Sequence, residues 1–252
     1  MKKITKTTLT LSFLLALTGC GSSDSDVTTI SIGTSPDYPP YESYAEDNKT
    51  LVGFDVDMVE ILEGYMNEGE TKYELEFVPM SFDTIVTQLQ ADQLDLGISG
   101  FSYSEDRKVE WSTPYCSSSQ VIIVPTGSNI KSIDDLDGKV IGTQSGSTGE
   151  EAANTVKGAK VITIADVKLL FENLRANQYD AIVTDYSVGK NYVENADFEM
   201  LDDYLLEEEN FIVAKEGNTE IIKIVNEAVE KFIASDDYIK LTDKYGIKPV
   251  TQ

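Results

Sequence analysis

The chain carries one phrase twice, as LQADQLDLGISG at residues 89–100 and as LRANQYDAIVTD at residues 174–185. In each copy a helical stretch ends, a polar turn follows, and a short apolar run leads to a polar residue, which predicts helix, turn and strand. A second pair, ISIGTS at 30–35 and KVIGTQ at 139–144, reads as two strands that break into polar loops. One such likeness is also expected wherever amphipathic helices lead into buried strands. Two likenesses in the same order predict two similar lobes.

The segments between these phrases alternate between helical and strand-like patterns, which predicts an α/β fold with a mainly parallel sheet in each lobe. Strands are expected at residues 28–34 and, with a turn, within 210–218, and a helix is expected from Ser81, as its cap, to Gln90. Two closing helices are expected at residues 219–234 and 236–245. Another helix should bury one face made of Met58, Val59, Leu62, Tyr65 and Met66.

The N-terminus reads as a targeting segment, because lysines precede a short apolar run that is too short to span a bilayer as a stable helix. The ending LTGC resembles a bacterial lipobox, which predicts a signal peptide at residues 1–19 and lipidation of Cys20. The alternative is an ordinary signal peptide that happens to contain a cysteine. Residues 20–27 are polar and small and suit a flexible tether. We therefore expect an extracytoplasmic protein held at the cell membrane by lipid on Cys20.

Composition excludes several function classes. The formal charge of −24 argues against binding nucleic acid. The chain has no histidine, which removes the usual general base and the usual zinc ligand, so we expect no metal, no cofactor and no enzyme activity. With Cys20 lipidated, Cys116 has no partner for a disulfide, and a quiet, partly buried thiol is the expectation.

Ligands of open α/β sheets bind beyond the carboxyl ends of the strands. All four repeated strands are expected to end in polar loops, which begin at Ser35, Ser99, Gln144 and Asp185. If the lobes face each other, these loops line a single cleft.

Two of these loops suit an anion. SGFSYSEDR contains Arg107, whose planar fork matches a carboxylate, and the spacing of Ser102 and Glu105 is that of a capping box. QSGSTGEE repeats that spacing with Ser147 and Glu150 at a predicted helix start. The alternatives are a solvated surface charge for Arg107 and simple helix caps for the serines.

The remaining loop residues complete a pattern of complementary groups. Asp185 at a strand end suits an ammonium group, and nearby aromatic rings suit an apolar or planar side chain, although each ring alone is more typical of a core. These aromatic residues are Tyr38, Tyr41, Phe82 and Phe101. An arginine, an aspartate and an aromatic floor together describe a zwitterion, and hence an α-amino acid.

The chain also resembles a known family. Its segments ISIGTSPDYPPYE, VGFDVDMVEIL, FVPMSFDTIVTQLQADQLDLGISGFSYSEDR, QSGSTGEE, YDAIVTD and KLTDKYG are similar, in this order, to the extracellular solute-binding proteins of family 3, the amino-acid receptors of ABC importers. The resemblance implies a type II periplasmic-binding-protein fold, with two α/β lobes joined by two hinge strands. The first lobe would take residues 28–118 and 208–252, and the second residues 119–207.

The resemblance also implies a role for each loop residue. Arg107 would clamp the ligand α-carboxylate, and Asp185 would pair with its α-ammonium group. Ser102, Ser147 and Thr148 would assist Arg107, Ser99 and Gly100 would assist Asp185, Tyr38 and Phe82 would flank the ligand side chain, and Ser35, Phe101 and Gln144 would vary with specificity. The implied partners are a free L-amino acid and a membrane permease, with the receptor acting as a monomer.

Two other functions and one question of specificity stay open at this level. A few relatives of the fold are dehydratases, for which Asp185 or Glu42 would be a general acid, and a surface adhesin or sensor lipoprotein is a third interpretation. Gln144 favours a ligand with a polar side chain. Asp37 and Glu42 lie close enough to Ser35 in sequence to leave an acidic pocket for a basic side chain possible.

Overall fold

The computed structural model describes residues 27–194 and 197–250. The predicted signal peptide, the lipidation site Cys20 and the tether up to residue 26 lie outside the described residues. Val27, predicted as the end of the tether, is the first residue of the first strand.

In chain order the strands are β1 (Val27–Thr34), β2 (Asp37–Tyr38), β3 (Glu42–Tyr44), β4 (Leu51–Val52), β5 (Lys72–Pro79), β6 (Leu96–Ser102), β7 (Val109–Trp111), β8 (Cys116–Pro125), β9 (Val140–Gln144), β10 (Lys160–Ile164), β11 (Ala181–Asp185) and β12 (Phe198–Lys215). The helices are α1 (Phe54–Met66), α2 (Phe82–Gln90), α3 (Thr148–Asn154), α4 (Val167–Arg175), α5 (Tyr186–Val193), α6 (Thr219–Ile233) and α7 (Asp236–Tyr245), with a 3-10 turn at Ile133–Leu136.

One curled sheet runs through the molecule in the strand order β10-β9-β11-β8-β12-β6-β1-β5, and β7 pairs with β12. At one end β1 is parallel to β5 and β6, and at the other β9 is parallel to β10 and β11. We call the end built on β1, β5 and β6 the first lobe and the end built on β9, β10 and β11 the second lobe. The long strands β8 and β12, paired antiparallel to each other, join the two.

The apolar patterns explain which surfaces are buried. Strand β1 buries Ile30 and Ile32, and α1 buries Met58 and Leu62 against the same core. In α6 the buried residues recur at Ile222, Val225, Val229 and Phe232, the spacing of one helix face. The buried faces of these helices pack against the strands in one core. This packing fixes the positions of the strand ends that carry the polar loops.

The sequence predictions of the fold class and of the main helices are confirmed. Two local predictions need correction. The strand and turn expected within residues 210–218 are present, but β12 begins at Phe198 and is 18 residues long, because it continues through the junction between the lobes. The capping-box spacing predicts a helix after Ser102, but Ser102 ends β6 and pairs with Asn210, so the capping box with Glu105 does not form.

The predicted lobe boundaries fall inside β8 and β12. Glu207 pairs with Ser119, and Glu208 pairs with Ser118, so the two predicted boundaries lie side by side in the sheet. Two antiparallel strands are therefore the connection about which the lobes would move, and the exact division of the chain remains a prediction.

Candidate functional site

A small cavity lies between the lobes. All of its lining residues except Gln120 were predicted as ligand contacts; the lining residues are Tyr38, Phe82, Ser99, Gly100, Ser102, Arg107, Gln120, Gln144, Ser147 and Thr148. The first six come from the first lobe, the last three from the second, and Gln120 comes from β8. The cavity is thus closed by groups from both lobes and from a connecting strand.

Gly100 allows the first lobe to present its backbone to this cavity. Its φ of 58° lies in the left-handed region, and a Cβ at this position would meet the Tyr38 ring at 3.2 Å. Its N–H donates to Asp55 Oδ2 at 3.2 Å, and its carbonyl oxygen accepts from Asn210 Nδ2 at 2.8 Å. The backbone of β6 at Gly100 is therefore held from both sides.

Arg107 bridges the two lobes. Nη1 donates to the carbonyl oxygen of Ser102, and Nη2 donates to that of Gly146 across the cleft at 2.7 Å. The guanidinium carbon lies 5.6 Å from the centre of the Phe82 ring and 5.4 Å from that of Phe101. Burial lowers the pKa of Arg107, and no salt bridge to it occurs in the part of the chain that the structure describes.

Asp185, at the end of β11, is the buried carboxylate of the second lobe. Oδ1 accepts from the backbone N–H of Ser187 at 2.8 Å, Oδ2 accepts from the hydroxyl of Ser118, and the Tyr41 hydroxyl lies 3.2 Å from Oδ1. Burial raises the pKa of Asp185 to about 7 against the lowering effect of these donors. A positive group brought to Asp185 would relieve this cost.

Asn210 on β12 joins these residues into one network. Its Oδ1 lies 3.2 Å from the Tyr41 hydroxyl and 3.1 Å from Cys116 Sγ, and its Nδ2 donates to Ser102 Oγ at 3.2 Å. Cys116 is fully buried rather than partly buried as predicted, and burial raises the pKa of its thiol well above the usual value, which suits an unreactive cysteine.

Glu42 and Asp55 form a buried carboxyl pair behind the cavity. Ser99 Oγ donates to Glu42 Oε1 at 2.5 Å, and the Tyr115 hydroxyl donates to Asp55 Oδ2 at 3.1 Å. Burial, followed by the charge of Asp55, raises the pKa of Glu42 well above its usual value, and burial raises that of Asp55 to about 6. The pair therefore retains a proton near neutral pH and supports Ser99 from within the first lobe.

Asp37 makes its contacts outside the central cavity. Its Oδ2 accepts from the backbone N–H of Val167 at 2.7 Å, at the start of α4 in the second lobe, and its Oδ1 accepts from Ser35 Oγ at 2.7 Å. Asp37 and Ser35 line a separate cavity of 610 Å³. Neither Asp37 nor Glu42 lines the central cavity, so the acidic pocket left open by the sequence is not formed there by these two carboxylates.

The remaining predicted residues lie around the cavity. Phe101 is fully buried and stacks on Phe82 with 4.6 Å between ring centres. Gln144 Nε2 donates to the carbonyl oxygen of Ala165 at 3.3 Å, and Ser147 caps α3 by accepting from the N–H of Glu150 at 3.2 Å. The predicted residues that do not line the cavity are Ser35, Tyr41, Phe101 and Asp185.

Sequence reasoning missed three polar residues at the junction, namely Gln120 on β8 with Glu208 and Asn210 on β12. Gln120 and Asn210 are buried, and Glu208 is half-buried with its Oε2 atom enclosed. The available signal was the polar runs SSSQ and EEEN, which each stand directly before an apolar strand segment.

Two absences hold for the residues that the structure describes. No group of three or more Asp, Glu or Cys side chains is arranged to hold a metal ion there. Among the helices of residues 27–194 and 197–250, none has the length and apolar character that a membrane crossing needs.

The sequence profile described as bacterial extracellular solute-binding proteins, family 3, matches residues 30–248. This chain belongs to family 3 of the solute-binding proteins. A probable histidine-binding protein of Neisseria gonorrhoeae is 29% identical over 253 residues, covering 93% of this chain and 92% of that protein. The arginine-binding extracellular protein ArtP of Bacillus subtilis (strain 168) is 30% identical over 242 residues, covering 91% of this chain and 92% of that protein.

Solved structures show the same fold for this family 3 protein. The arginine-, lysine-, histidine-binding protein ArtJ of Geobacillus stearothermophilus has a TM-score of 0.80 and 29% identity, covering 88% of this chain and 97% of that chain. The predicted type II periplasmic-binding-protein fold, two α/β lobes joined by two strands, is therefore confirmed. In this fold the cavity between the lobes of the solute-binding protein is the place where residues of both lobes meet.

Proposed function

We propose that this solute-binding protein binds a free polar L-amino acid between its lobes and presents it to the permease of an ABC importer. The observation that carries the proposal is that a half-buried guanidinium from the first lobe, Arg107, lines the cavity, and a buried carboxylate from the second lobe, Asp185, lies at the same junction, 3.2 Å from the Tyr41 hydroxyl of the first lobe. These are complementary to the two charges of an amino-acid backbone.

The burial of both groups favours a charged ligand. Arg107 makes hydrogen bonds only to carbonyl oxygens within the described chain, so a ligand carboxylate would supply its first salt bridge there. Burial disfavours the ionised form of Asp185, and an ammonium group would restore it. A buried charge without a partner is costly, and a partnered one is much less so, which gives the zwitterion its advantage over a neutral solute.

Closure follows from the distribution of these contacts. A ligand shifts an equilibrium between open and closed forms only by binding one form better than the other. Arg107 belongs to the first lobe, and Asp185 and Thr148 belong to the second, so a ligand touches all of them only when the lobes are together. Movement about β8 and β12 would then convert ligand binding into a closed shape that a permease distinguishes from the open one.

Tyr38 and Phe82 would flank the ligand side chain, and Gln144 would face its polar end. The relatives named above are described as binding histidine or arginine. These are polar amino acids, and we extend that class, rather than either particular ligand, to this chain.

A thermal-shift screen tests this proposal. The purified protein would be heated with each of the twenty L-amino acids, a few dipeptides and aromatic carboxylic acids. One or a few amino acids should raise the unfolding temperature, since a ligand that binds only the folded state stabilises it. The shift should vanish in Arg107→Ala and in Asp185→Ala. Absence of any shift, or a shift that survives both substitutions, would overturn the assignment.

We also propose that the receptor is anchored by lipid on Cys20, as the LTGC ending indicates, and that it acts as a monomer. Metabolic labelling with a palmitate analogue should mark the wild-type protein and leave Cys20→Ala unmarked. The variant should also move from the membrane to the soluble fraction. Labelling that persists in Cys20→Ala would show that the lipobox assignment is wrong.

The dehydratase alternative places a general acid at Asp185 or Glu42. Glu42 is bonded to Ser99 behind the cavity, and the relatives named above are described as binding proteins. Conversion of a cyclic carboxylic acid, followed by chromatography, would decide for the enzyme. Adhesion or sensing requires neither Arg107 nor Asp185, so loss of amino-acid binding in Arg107→Ala and Asp185→Ala would argue against an adhesin or a sensor.

A further inference from the structure

Glu208 is a buried carboxyl group at the junction of the lobes that has no role in the proposal above. It lies on β12, paired with Ser118 of β8, while its neighbour Glu207 is exposed to solvent. Gln120 Nε2 donates to Glu208 Oε1 at 2.5 Å. Oε2 is buried and has no hydrogen bond among the described residues.

Hydroxyl groups from both lobes face this carboxyl group. Burial raises the pKa of Glu208, while Gln120, the hydroxyls of Thr148 and Ser102, and the charge of Arg107 lower it. Ser102 ends β6 in the first lobe, and Thr148 begins α3 in the second. Besides burial, the charge of Glu208 raises the pKa of the Asp185 carboxyl group and that of the Tyr38 phenol.

The hydrogen-bonding capacity of the two hydroxyls determines what they can offer. A hydroxyl has one proton and two lone pairs. Ser102 Oγ already accepts from Asn210 Nδ2 at 3.2 Å, and Thr148 Oγ1 already accepts from Gln120 Nε2 at 3.4 Å. Each hydroxyl therefore has its proton and one lone pair left, and Glu208 Oε2 is the neighbouring buried acceptor that lacks a donor.

We propose that Glu208 is a positioning residue of the ligand site, which takes the protons of Ser102 and Thr148 and leaves one lone pair of each for the ligand ammonium group. The inference rests on the proposed amino-acid binding. It makes both hydroxyls acceptors for the ammonium, together with Asp185, and leaves the ligand carboxylate to Arg107. This differs from the sequence prediction, in which Ser102 and Thr148 assist the carboxylate.

Glu208→Gln tests the inference, since an amide of the same shape offers protons where the carboxylate accepts them. Glu207→Gln on the same strand is the matched control. The probe is the L-amino acid that gives the largest shift in the thermal screen, titrated by calorimetry into the purified full-length protein. We expect Glu208→Gln to weaken binding about 10- to 100-fold, the range for a hydrogen bond to a charged group, and Glu207→Gln to change it less than about twofold.

A double-mutant cycle separates this role from a structural one. In a Ser102→Ala, Thr148→Val background, the groups through which Glu208 acts are absent, so adding Glu208→Gln should weaken binding less than about threefold. An equal loss in both backgrounds, or no loss in either, would overturn the inference. Either outcome would leave the proposed function intact, because that proposal fails on other results: no amino acid binds the wild-type protein, or binding survives both Arg107→Ala and Asp185→Ala.

A further measurement needs no change at Glu208, in case that variant does not fold. Thr148→Val is compared for the same L-amino acid and for the α-hydroxy acid with the same side chain, which lacks the ammonium group, by competition. A hydroxyl that accepts from the ammonium predicts a larger loss for the amino acid. Equal losses for the two ligands, or a larger loss for the hydroxy acid, would show that Thr148 serves the carboxylate and would overturn the inference.

Discussion

The phenol oxygen of Tyr41 in the first lobe lies 3.2 Å from Asp185 Oδ1 in the second lobe. The same oxygen lies 3.2 Å from Asn210 Oδ1 on the strand that joins the lobes. One phenol group thus connects both lobes and their junction at the carboxylate proposed to bind the ligand ammonium. Tyr41 does not line the cavity, so its influence on the ligand would pass through Asp185.

Tyr41→Phe should therefore weaken amino-acid binding without removing it. The variant loses one hydrogen bond to a carboxylate, worth about 1.5–3 kcal/mol, so we expect the Kd measured by calorimetry to rise about 10- to 100-fold. Tyr44→Phe is the control, because it makes the same chemical change at an exposed side chain. An unchanged Kd in Tyr41→Phe would show that the phenol does not assist Asp185.

Asp185→Asn should abolish binding and yet stabilise the ligand-free protein at alkaline pH. Burial raises the pKa of Asp185 from 3.8 to about 7, so its ionisation destabilises the fold as pH rises through this interval. At pH 8 we expect the variant to be more stable by about 1–3 kcal/mol, and near pH 3 the advantage should disappear. Urea unfolding at the two pH values measures this. Asp202→Asn, an exposed aspartate, should show no gain at either, and a loss of stability in Asp185→Asn at pH 8 would contradict the prediction.

Amino-acid binding should weaken in acid. In the ligand-free protein Asp185 is protonated below about pH 7, and it must lose this proton to pair with an ammonium group. Binding below pH 7 therefore releases a proton, and the Kd should rise by up to about tenfold for each unit of pH decrease. Calorimetry at pH 6 in buffers of different ionisation enthalpy measures this release directly. A Kd that stays constant from pH 5 to pH 8 would contradict the assignment of Asp185.

Asp37→Ala should favour the open form. Asp37 Oδ2 accepts from the Val167 N–H at 2.7 Å, and a negative charge at the start of α4 is also favoured by the helix dipole. Loss of this contact between lobes should raise the radius of gyration of the ligand-free protein in X-ray scattering and raise the Kd about tenfold. Asp134→Ala, at an exposed aspartate of the second lobe, should change neither quantity. A Kd that rises while the radius stays constant would mean that Asp37 acts on the ligand rather than on closure.

The predicted parts of the fold and site are those that depend on local pattern. The buried face of α1 follows from apolar spacing, and α7 has the bounds expected from the sequence. The approach of Arg107 to the second lobe follows from the rule that strand ends share one edge. The same rule places Ser99 and Gln144 at one cavity, although Ser99 lies within β6 rather than after it.

The residues missed from the sequence are those whose role comes from pairing between distant strands. Gln120 and Glu208 are separated by 88 positions and meet because β8 and β12 are neighbours, which no local periodicity encodes. Asn210 is similar, since its contact with Ser102 arises from the register of β12 against β6. Asp37 and Glu42 follow Ser35 closely in sequence, but they accept hydrogen bonds from Val167 and Ser99, which are distant in sequence. Neither carboxylate lines the cavity.

The position of β12 in the sheet also constrains how the protein is made. This strand lies between β8 and β6, yet it spans Phe198–Lys215, near the end of the chain. A nascent chain that has emerged only as far as α5 holds β1, β5 and β6 without the strand that covers the open edge of β6. Non-local pairing of this kind delays folding, and an uncovered edge invites pairing with other chains. The first lobe therefore reaches its final form only after most of the protein has been synthesised, and truncation before residue 198 would yield an aggregation-prone fragment rather than a smaller receptor.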